Sequence, residues 1–187
     1  MKPTLFVVIL LLFSFSIACA GTRVEMKTSM GTITLELNDE QAPVTVKNFL
    51  NYVDHKFYDG TIFHRVIRNF MIQGGGFDRT AKRKPVGAAI KNEADNGLSN
   101  NKGTIAMART GVVDSATSQF FINLKDNNFL NHRGQTGNTY GYTVFGRVVG
   151  GMDVVEKIGT TRTISKNQLF RAYPEPQVII ESVRRVE

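Results

Sequence analysis

Residues 63–77 have the sequence FHRVIRNFMIQGGGF, which mixes arginine, aromatic, thioether and amide side chains and contains three consecutive glycines. The pattern of residues 61–67 is typical of a strand, in which successive side chains point to opposite faces. This alternation predicts that Arg65 shares a face with Phe63, whereas His64 points the other way. The strand would then present a charged donor beside apolar groups, a combination that suits a shallow groove for a peptide.

A second stretch of the same character, SQFFINL, occupies residues 118–124. Alternation along a strand puts Gln119 and Phe121 on one face and Phe120 and Ile122 on the other. Each of the two predicted strands can therefore offer polar and aromatic side chains together.

These stretches, together with GTIAMA at 103–108 and NNFLN at 127–131, resemble the cyclophilin family of peptidyl-prolyl cis-trans isomerases, and its short bacterial members in particular. The resemblance covers nearly all of residues 24–186. It implies a mainly β fold, a closed eight-stranded antiparallel β-barrel capped by two α-helices. It also implies an enzyme that accelerates rotation about X-Pro peptide bonds and uses no cofactor.

The periodicity of the remaining chain is consistent with many strands and two helices. Pro43 suits the first turn of a helix, and apolar residues at helical spacing extend the pattern toward Asp59 and Gly60. A second short helix is predicted at 152–158. Strands are predicted at residues 24–28, 32–37, 61–67, 70–73, 103–108, 119–123, 143–149 and 177–186. Such a set favours a closed barrel, because closure removes exposed strand edges. The glycines 74–76 are interpreted as a bend at a strand end.

Residues 1–20 have the pattern of a signal peptide. A lysine near the start precedes an almost wholly apolar run at 4–17, and residues 18–20, Ala-Cys-Ala, match a small-x-small cleavage site. We therefore predict cleavage after Ala20 and export to the periplasm. A membrane anchor is the first alternative, but the apolar run is shorter than the roughly 20 residues needed to cross a bilayer. The second alternative is a lipoprotein anchored through Cys19.

Cleavage would leave one domain, residues 21–187, without cysteine and therefore without disulfides. Its 22 lysine and arginine residues exceed its 16 aspartate and glutamate residues, a net charge of +6. The basic residues are scattered, with one tight cluster at 82–84, and the absence of interleaved aromatic residues favours a solvated surface over nucleic-acid binding. The three histidines are far apart in sequence, and no ligand spacing indicates a metal site. We expect a monomer that binds proline-containing segments of unfolded or folding proteins.

The interior of a small barrel is filled by side chains, so the site is expected on the outer face. The resemblance implies a catalytic role for Arg65, Phe70 and Gln73. It implies substrate binding by Met71, Ala108, Arg109, Gln119, Phe121, Phe129, Leu130 and Tyr142. Arg109 stands where the family commonly has asparagine, so only its main chain is carried over. Tyr142 replaces the histidine found in many family pockets.

The chemistry requires no nucleophile. The barrier to rotation comes from amide resonance, and the uncatalysed step takes tens to hundreds of seconds. Reaching milliseconds needs about 10⁴- to 10⁵-fold acceleration, or about 5.5 to 7 kcal/mol. An apolar pocket, exclusion of water and a permanent donor aimed at the twisting amide can supply it. The guanidinium of Arg65 is always charged and is the expected donor, although most arginines serve only in surface ion pairs.

Two functions remain open from the sequence. One is a periplasmic isomerase that assists the folding of exported proteins, and the other is a module of the same fold that binds peptides without catalysis. The presence of Arg65 favours the isomerase. Phe129 stands where many eukaryotic members have tryptophan, and the chain contains no tryptophan. We therefore expect weak cyclosporin binding, because the indole N–H donor is missing.

Overall fold

The computed structural model describes residues 21–186, so the predicted signal peptide lies outside the described residues. The elements follow one another as β1 (Arg23–Thr28), β2 (Gly31–Leu37), α1 (Pro43–Asp54), β3 (Thr61–Ile67), β4 (Met71–Asp78), β5 (Thr104–Met107), β6 (Phe120–Asn123), a 3₁₀ turn (Asn128–Leu130), β7 (Val144–Gly150), α2 (Met152–Gly159), β8 (Thr163–Ile164), β9 (Tyr173–Pro174) and β10 (Val178–Val186).

Within this part of the chain, eight strands close into a barrel in the order β1-β10-β3-β4-β6-β5-β7-β2. Every neighbouring pair is antiparallel. The predicted eight-stranded antiparallel barrel is therefore confirmed. The short hairpin β8-β9 lies outside the barrel and was not predicted.

An aromatic core fills the barrel. The ring of Phe49 on α1 lies 5.2 Å from that of Phe145 and 5.9 Å from that of Phe120. Helix α2 adds Val155 and Ile158, both fully buried. Both helices thus bury an apolar face in the interior, which leaves the outer surface of the barrel for a binding site.

Two boundaries differ from prediction by more than one residue. Helix α1 ends at Asp54 rather than near Gly60, because Lys56 adopts a left-handed backbone conformation (φ 54°) that a helix cannot continue through. Strand β4 runs through the three glycines to Asp78, so their interpretation as a strand-end bend is wrong. A Cβ at Gly75 would lie 2.9 Å from ring atoms of Phe120 and of Tyr58. Only glycine therefore lets this strand pass between the two rings.

A β-bulge at His64 breaks the alternation of β3. Phe63 pairs with Gly74 and Arg65 pairs with Gln73, so β3 has one more residue than β4 between these pairs. Phe63 consequently points into the core whereas Arg65 is exposed on the outside. The prediction that these two residues share a face is wrong, because a period of two does not survive an inserted residue.

Residues 160–177 and the turn at 78–84 form an outer lobe on the outside of β3. The ring of Phe77 lies 5.0 Å from that of Phe170, and the Val66 backbone N–H donates to the Ala172 carbonyl oxygen at 2.9 Å. The ring of His64 packs edge-on against Phe77 at 4.7 Å. The lobe therefore attaches to β3 through apolar rings and a backbone hydrogen bond.

We expect the stability of the domain to fall below neutral pH because of His64. This side chain is 5% exposed, and burial, then the charges of Arg65 and Arg83, lower its pKa from 6.5 to about 4. The unfolded chain therefore binds a proton at pH values where the folded chain does not. The free energy of unfolding should drop by about 2 kcal/mol between pH 7.5 and pH 5 through this group alone.

Urea unfolding at both pH values checks this, with His64→Leu as the comparison. The carboxylates titrate in both proteins, so the parent should lose about 2 kcal/mol more than the variant over that interval. Equal losses would show that His64 is not the group responsible.

Candidate active site

A cavity of about 190 Å³ opens on the outer face of the barrel beside β4 and β6. The strand register explains its position, since Gln73 pairs with Phe121, and Phe121 in turn pairs with Ala106. Nine of the eleven predicted site residues line it, namely Arg65, Phe70, Met71, Gln73, Ala108, Arg109, Phe121, Leu130 and Tyr142. Two larger depressions, of about 690 and 760 Å³, contain none of the predicted residues.

The floor of the cavity is apolar. Met71, Phe121 and Leu130 are 2%, 4% and 9% exposed, and they form one hydrophobic cluster with Ala106. The ring of Tyr142 meets that of Phe121 edge-on at 5.7 Å. A small apolar ring can therefore be held there away from water.

Polar groups form a connected row along one edge of the cavity. Arg65 Nη1 donates to Gln73 Oε1 at 3.2 Å, and Gln73 Nε2 donates to Gln119 Oε1 at 3.0 Å. Partial loss of hydration lowers the pKa of Arg65, and the nearby Tyr142 opposes this effect. The guanidinium nevertheless remains charged, because the pKa of arginine lies far above neutral pH. The row thus places a fixed cation over an apolar floor.

Two predicted residues lie beside the cavity rather than in its lining. Gln119 is linked through its hydrogen bond to Gln73. Phe129 is 55% exposed and stacks on Phe70 with ring centroids 5.6 Å apart. Phe129 therefore extends the apolar surface at the rim.

The side chain of Arg109 has a role that sequence reasoning missed. It donates hydrogen bonds to the carbonyl oxygens of Gly141 at 2.8 Å, Gly137 at 2.7 Å and Thr110 at 2.9 Å. Its guanidinium also lies over the ring of Tyr142, 4.8 Å from the centroid. Arg109 thus links the 136–142 loop to the cavity. The only indication of this role in the sequence is that Arg109 stands where the family commonly has asparagine.

Buried asparagines support the cavity wall that contains Phe70 and Leu130. This role was not predicted from the sequence. Asn127 Nδ2 donates to the Phe70 carbonyl oxygen at 2.9 Å and to Asn123 Oδ1 at 2.8 Å. Asn100 Nδ2 donates to the Leu130 carbonyl oxygen at 3.3 Å. All three asparagines are fully buried, so they fix the backbone that carries two cavity residues. Their only signal is the frequency of asparagine in residues 100–131.

The described residues offer little for other chemistry. Residues 21–186 contain no group of three or more His, Cys, Asp or Glu side chains that could hold a metal ion. His64 lies on β3 with its ring against Phe77 and Phe170, and His132 Nδ1 lies 2.8 Å from the Tyr140 carbonyl oxygen. None of the helices in this part of the chain has the length and apolar character needed to cross a membrane.

Known proteins show the same fold and sequence pattern. The family model described as cyclophilin type peptidyl-prolyl cis-trans isomerase/CLD matches residues 23–185. The chain belongs to this family. It is 56% identical over 167 residues to a peptidyl-prolyl cis-trans isomerase of Acinetobacter baylyi, an alignment that covers 89% of this chain and 87% of that protein. It is 50% identical over 184 residues to peptidyl-prolyl cis-trans isomerase A of Dickeya dadantii, covering 97% and 95%.

A solved structure extends the comparison. The crystal structure of a cyclophilin type peptidyl-prolyl cis-trans isomerase of Cryptosporidium parvum, obtained in the presence of the dipeptide Ala-Pro, matches with a TM-score of 0.75 at 26% identity. The match covers 88% of this chain and 99% of that one. The cyclophilin-type chain described here is thus a peptidyl-prolyl cis-trans isomerase, and the alternative of a binding module without catalysis is not favoured.

Replacing Arg109 with methionine should destabilise the domain and weaken the isomerase. Methionine keeps much of the length of the side chain but loses three hydrogen bonds from a charged donor, each worth about 1.5 to 3 kcal/mol when partly buried. Because one of the three bonds is exposed and the other two are only partly buried, water can replace part of them, and we expect a loss of about 2 kcal/mol in urea unfolding.

Arg133→Met is the matched control, since Arg133 is exposed and donates one long hydrogen bond of 3.4 Å. Its unfolding free energy should stay within about 0.5 kcal/mol of the parent. If the two variants were equally stable, Arg109 would not be the tie that holds the loop.

Proposed function

We propose that the cavity holds the proline ring of an X-Pro segment and that Arg65 stabilises the twisted amide. The observation that carries this is the fixed guanidinium at the edge of an apolar floor formed by Met71, Phe121 and Leu130. As the bond rotates, the prolyl nitrogen loses resonance and its lone pair becomes a better acceptor. A cation beside it then favours the twisted amide over the planar one. No covalent intermediate is involved.

The neighbouring groups have supporting roles in this proposal. Gln73 is bonded to both Arg65 and Gln119, which limits the directions that the guanidinium can take. A fixed donor needs little reorganisation during the reaction. The amide groups of Gln73 and Gln119 and the main chain of Ala108 and Arg109 would bind the backbone of the substrate. The presence of Ala-Pro with the related Cryptosporidium parvum protein agrees with a proline-containing ligand.

We further propose that the natural substrates are exported proteins in the periplasm, where slow X-Pro rotation limits folding. Support comes from the signal-peptide pattern of residues 1–20 and from the family match, which begins only at residue 23. The alignment with the Dickeya dadantii protein covers 97% of the chain, so it includes most of those first residues. Cleavage after Ala20 remains the proposed processing, and a lipid anchor on Cys19 is the alternative. We also propose that a monomer suffices for activity, because residues of one chain line the cavity.

The central test is Arg65→Ala in the protein that begins at Gly21. We expect kcat/KM for a short neutral X-Pro peptide, measured by NMR exchange, to fall about 100- to 1000-fold, as for the loss of one donor to a transition state. Arg65→Lys should recover only part of the rate, because a lysine lacks the planar fork.

Lys47→Ala serves as the control, since it removes one exposed positive charge from α1 outside the cavity. It should retain the parent rate. An Arg65→Ala protein that unfolds like the parent and turns over peptide at the parent rate would refute the role of Arg65 while leaving the isomerase assignment intact.

Cyclosporin should inhibit this enzyme weakly. The aromatic residue at the rim is Phe129, which has no N–H group to donate a hydrogen bond. We expect Phe129→Trp to bind cyclosporin more tightly, by about five- to tenfold for one added hydrogen bond. Titration of the peptide rate with cyclosporin measures both proteins, and tight inhibition of the parent would contradict the argument.

A further inference from the structure

The excess of positive over negative charge in the domain comes from two segments. Residues 61–84 and 160–177 together carry nine lysine or arginine residues and two acidic residues, a net charge of +7. The other residues of 21–187 carry 13 basic and 14 acidic residues, a net charge of −1. The excess of positive charge therefore belongs to these segments, although basic residues look scattered along the sequence.

The fold brings the two segments together. They meet in the outer lobe, where Phe77 packs on Phe170 and where Gln177 Nε2 donates to the Arg79 carbonyl oxygen at 2.9 Å. Eight of their cationic residues are exposed. Without Arg65 of the cavity and the ion-paired Arg162, the remaining six define what we call the basic face: Arg68, Arg79, Lys82, Arg83, Lys166 and Arg171. Charges far apart in sequence thus occupy one side of the barrel.

The acidic residues of the lobe offset only a small part of the positive charge of this face. Asp78 accepts hydrogen bonds from the side chain and backbone of Thr80 and from the Lys82 backbone. Glu175 is ion-paired with Arg162. Within residues 21–186, none of the six cations of the basic face forms an ion pair. The face therefore attracts an anionic partner.

The basic face is continuous with the active-site cavity. Arg65 lines the cavity, and Arg68 follows three residues later in the turn after β3, no more than about 10 Å away along the chain. Arg171 precedes Ala172, whose carbonyl oxygen is bonded to Val66 next to Arg65. A peptide seated in the cavity would reach these arginines with side chains about three residues from its proline.

We propose that the basic face selects substrates that carry aspartate or glutamate within about four residues of the target proline. This inference rests on the proposed seating of proline beside Arg65. An acidic segment would be steered toward the cavity by the positive potential and held by exposed ion pairs. An anionic lipid surface is the rival partner, since Leu169 is 67% exposed between two of the cations. Continuity with Arg65 favours the peptide.

The experiment uses NMR exchange to compare kcat/KM for three peptides. One peptide is neutral, the second carries two glutamates three and four residues before the proline, and the third carries them three and four residues after it. In about 10 mM salt, one of the acidic peptides should react about three- to tenfold faster than its neutral partner. In about 0.5 M salt this ratio should approach one, because exposed charges are screened. The double variant Arg68→Gln/Arg171→Gln should also bring the ratio close to one.

Lys47→Gln/Lys157→Gln is the matched control, as it removes the same charge from exposed positions outside the basic face. This variant should keep the kcat/KM ratio of the parent. That result would show that the preference comes from the basic face and not from the net charge of the protein. A parent ratio near one, or an equal loss in both double variants, would overturn the proposal. Binding to phosphatidylglycerol vesicles that needs Arg68 and Arg171, without an effect on peptides, would also overturn it and assign the face to lipid.

Failure of the proposed mechanism is separable from failure of this inference. Arg65→Ala is assayed with the neutral peptide only, and an unchanged rate there would reject the role of Arg65. The ratio of kcat/KM for the acidic peptide to kcat/KM for the neutral peptide depends on the basic face. It is measured with the parent protein and does not require the result for Arg65→Ala.

Discussion

One inserted residue in β3 allows the same strand to contribute to the barrel core and to the candidate active site. With regular alternation, Phe63 and Arg65 would point to the same side, and either a guanidinium would enter the core or an aromatic ring would leave it. A buried, unpaired arginine costs several kcal/mol, and exposure of a phenylalanine loses about 2 kcal/mol of burial. The bulge at His64 avoids both costs, because Phe63 packs 6.0 Å from Phe120 inside while Arg65 faces the cavity outside. A bulge beside a functional residue is a common way to redirect a side chain.

Several other cavity residues lie on loops whose backbone is held by hydrogen bonds from buried or partly buried side chains. In the loops that carry Phe70 and Leu130, the carbonyl oxygen of each residue accepts a backbone N–H, from Leu124 and Tyr142 respectively. Each of these oxygens also accepts a second hydrogen bond from a buried asparagine, and Arg109 bonds the Gly141 carbonyl oxygen beside Tyr142. Unpaired polar groups at these depths would destabilise the loops, so the same contacts that satisfy them also fix the cavity walls.

The alternation of apolar and polar residues predicted the strands, and the family motifs predicted which residues line the cavity. Neither predicted how contacts between residues far apart in sequence interrupt this alternation. Alternation placed Phe120 and Phe121 on the correct faces because β6 is regular. It failed at His64, since a bulge shows only in the pairing of two strands. The helical spacing continued to Phe57 because that ring packs on Tyr52, although the backbone had already left the helix at Lys56. The basic face was invisible for the same reason, since only folding joins residues 78–84 to residues 160–177.

Burial, reinforced by nearby positive charge, explains why a neutral histidine can be the neighbour of an arginine in β3. Arg65 loses part of its hydration over the cavity, and a lysine there, with its lower pKa, would be more easily neutralised. His64 is buried on the lobe side, and the charges of Arg65 and Arg83 add to the effect of burial in lowering its pKa. A charged His64 would add a cation to a buried, already positive region. The packing of the His64 ring against Phe77 and Phe170 is therefore most stable while His64 stays neutral beside a permanently charged Arg65.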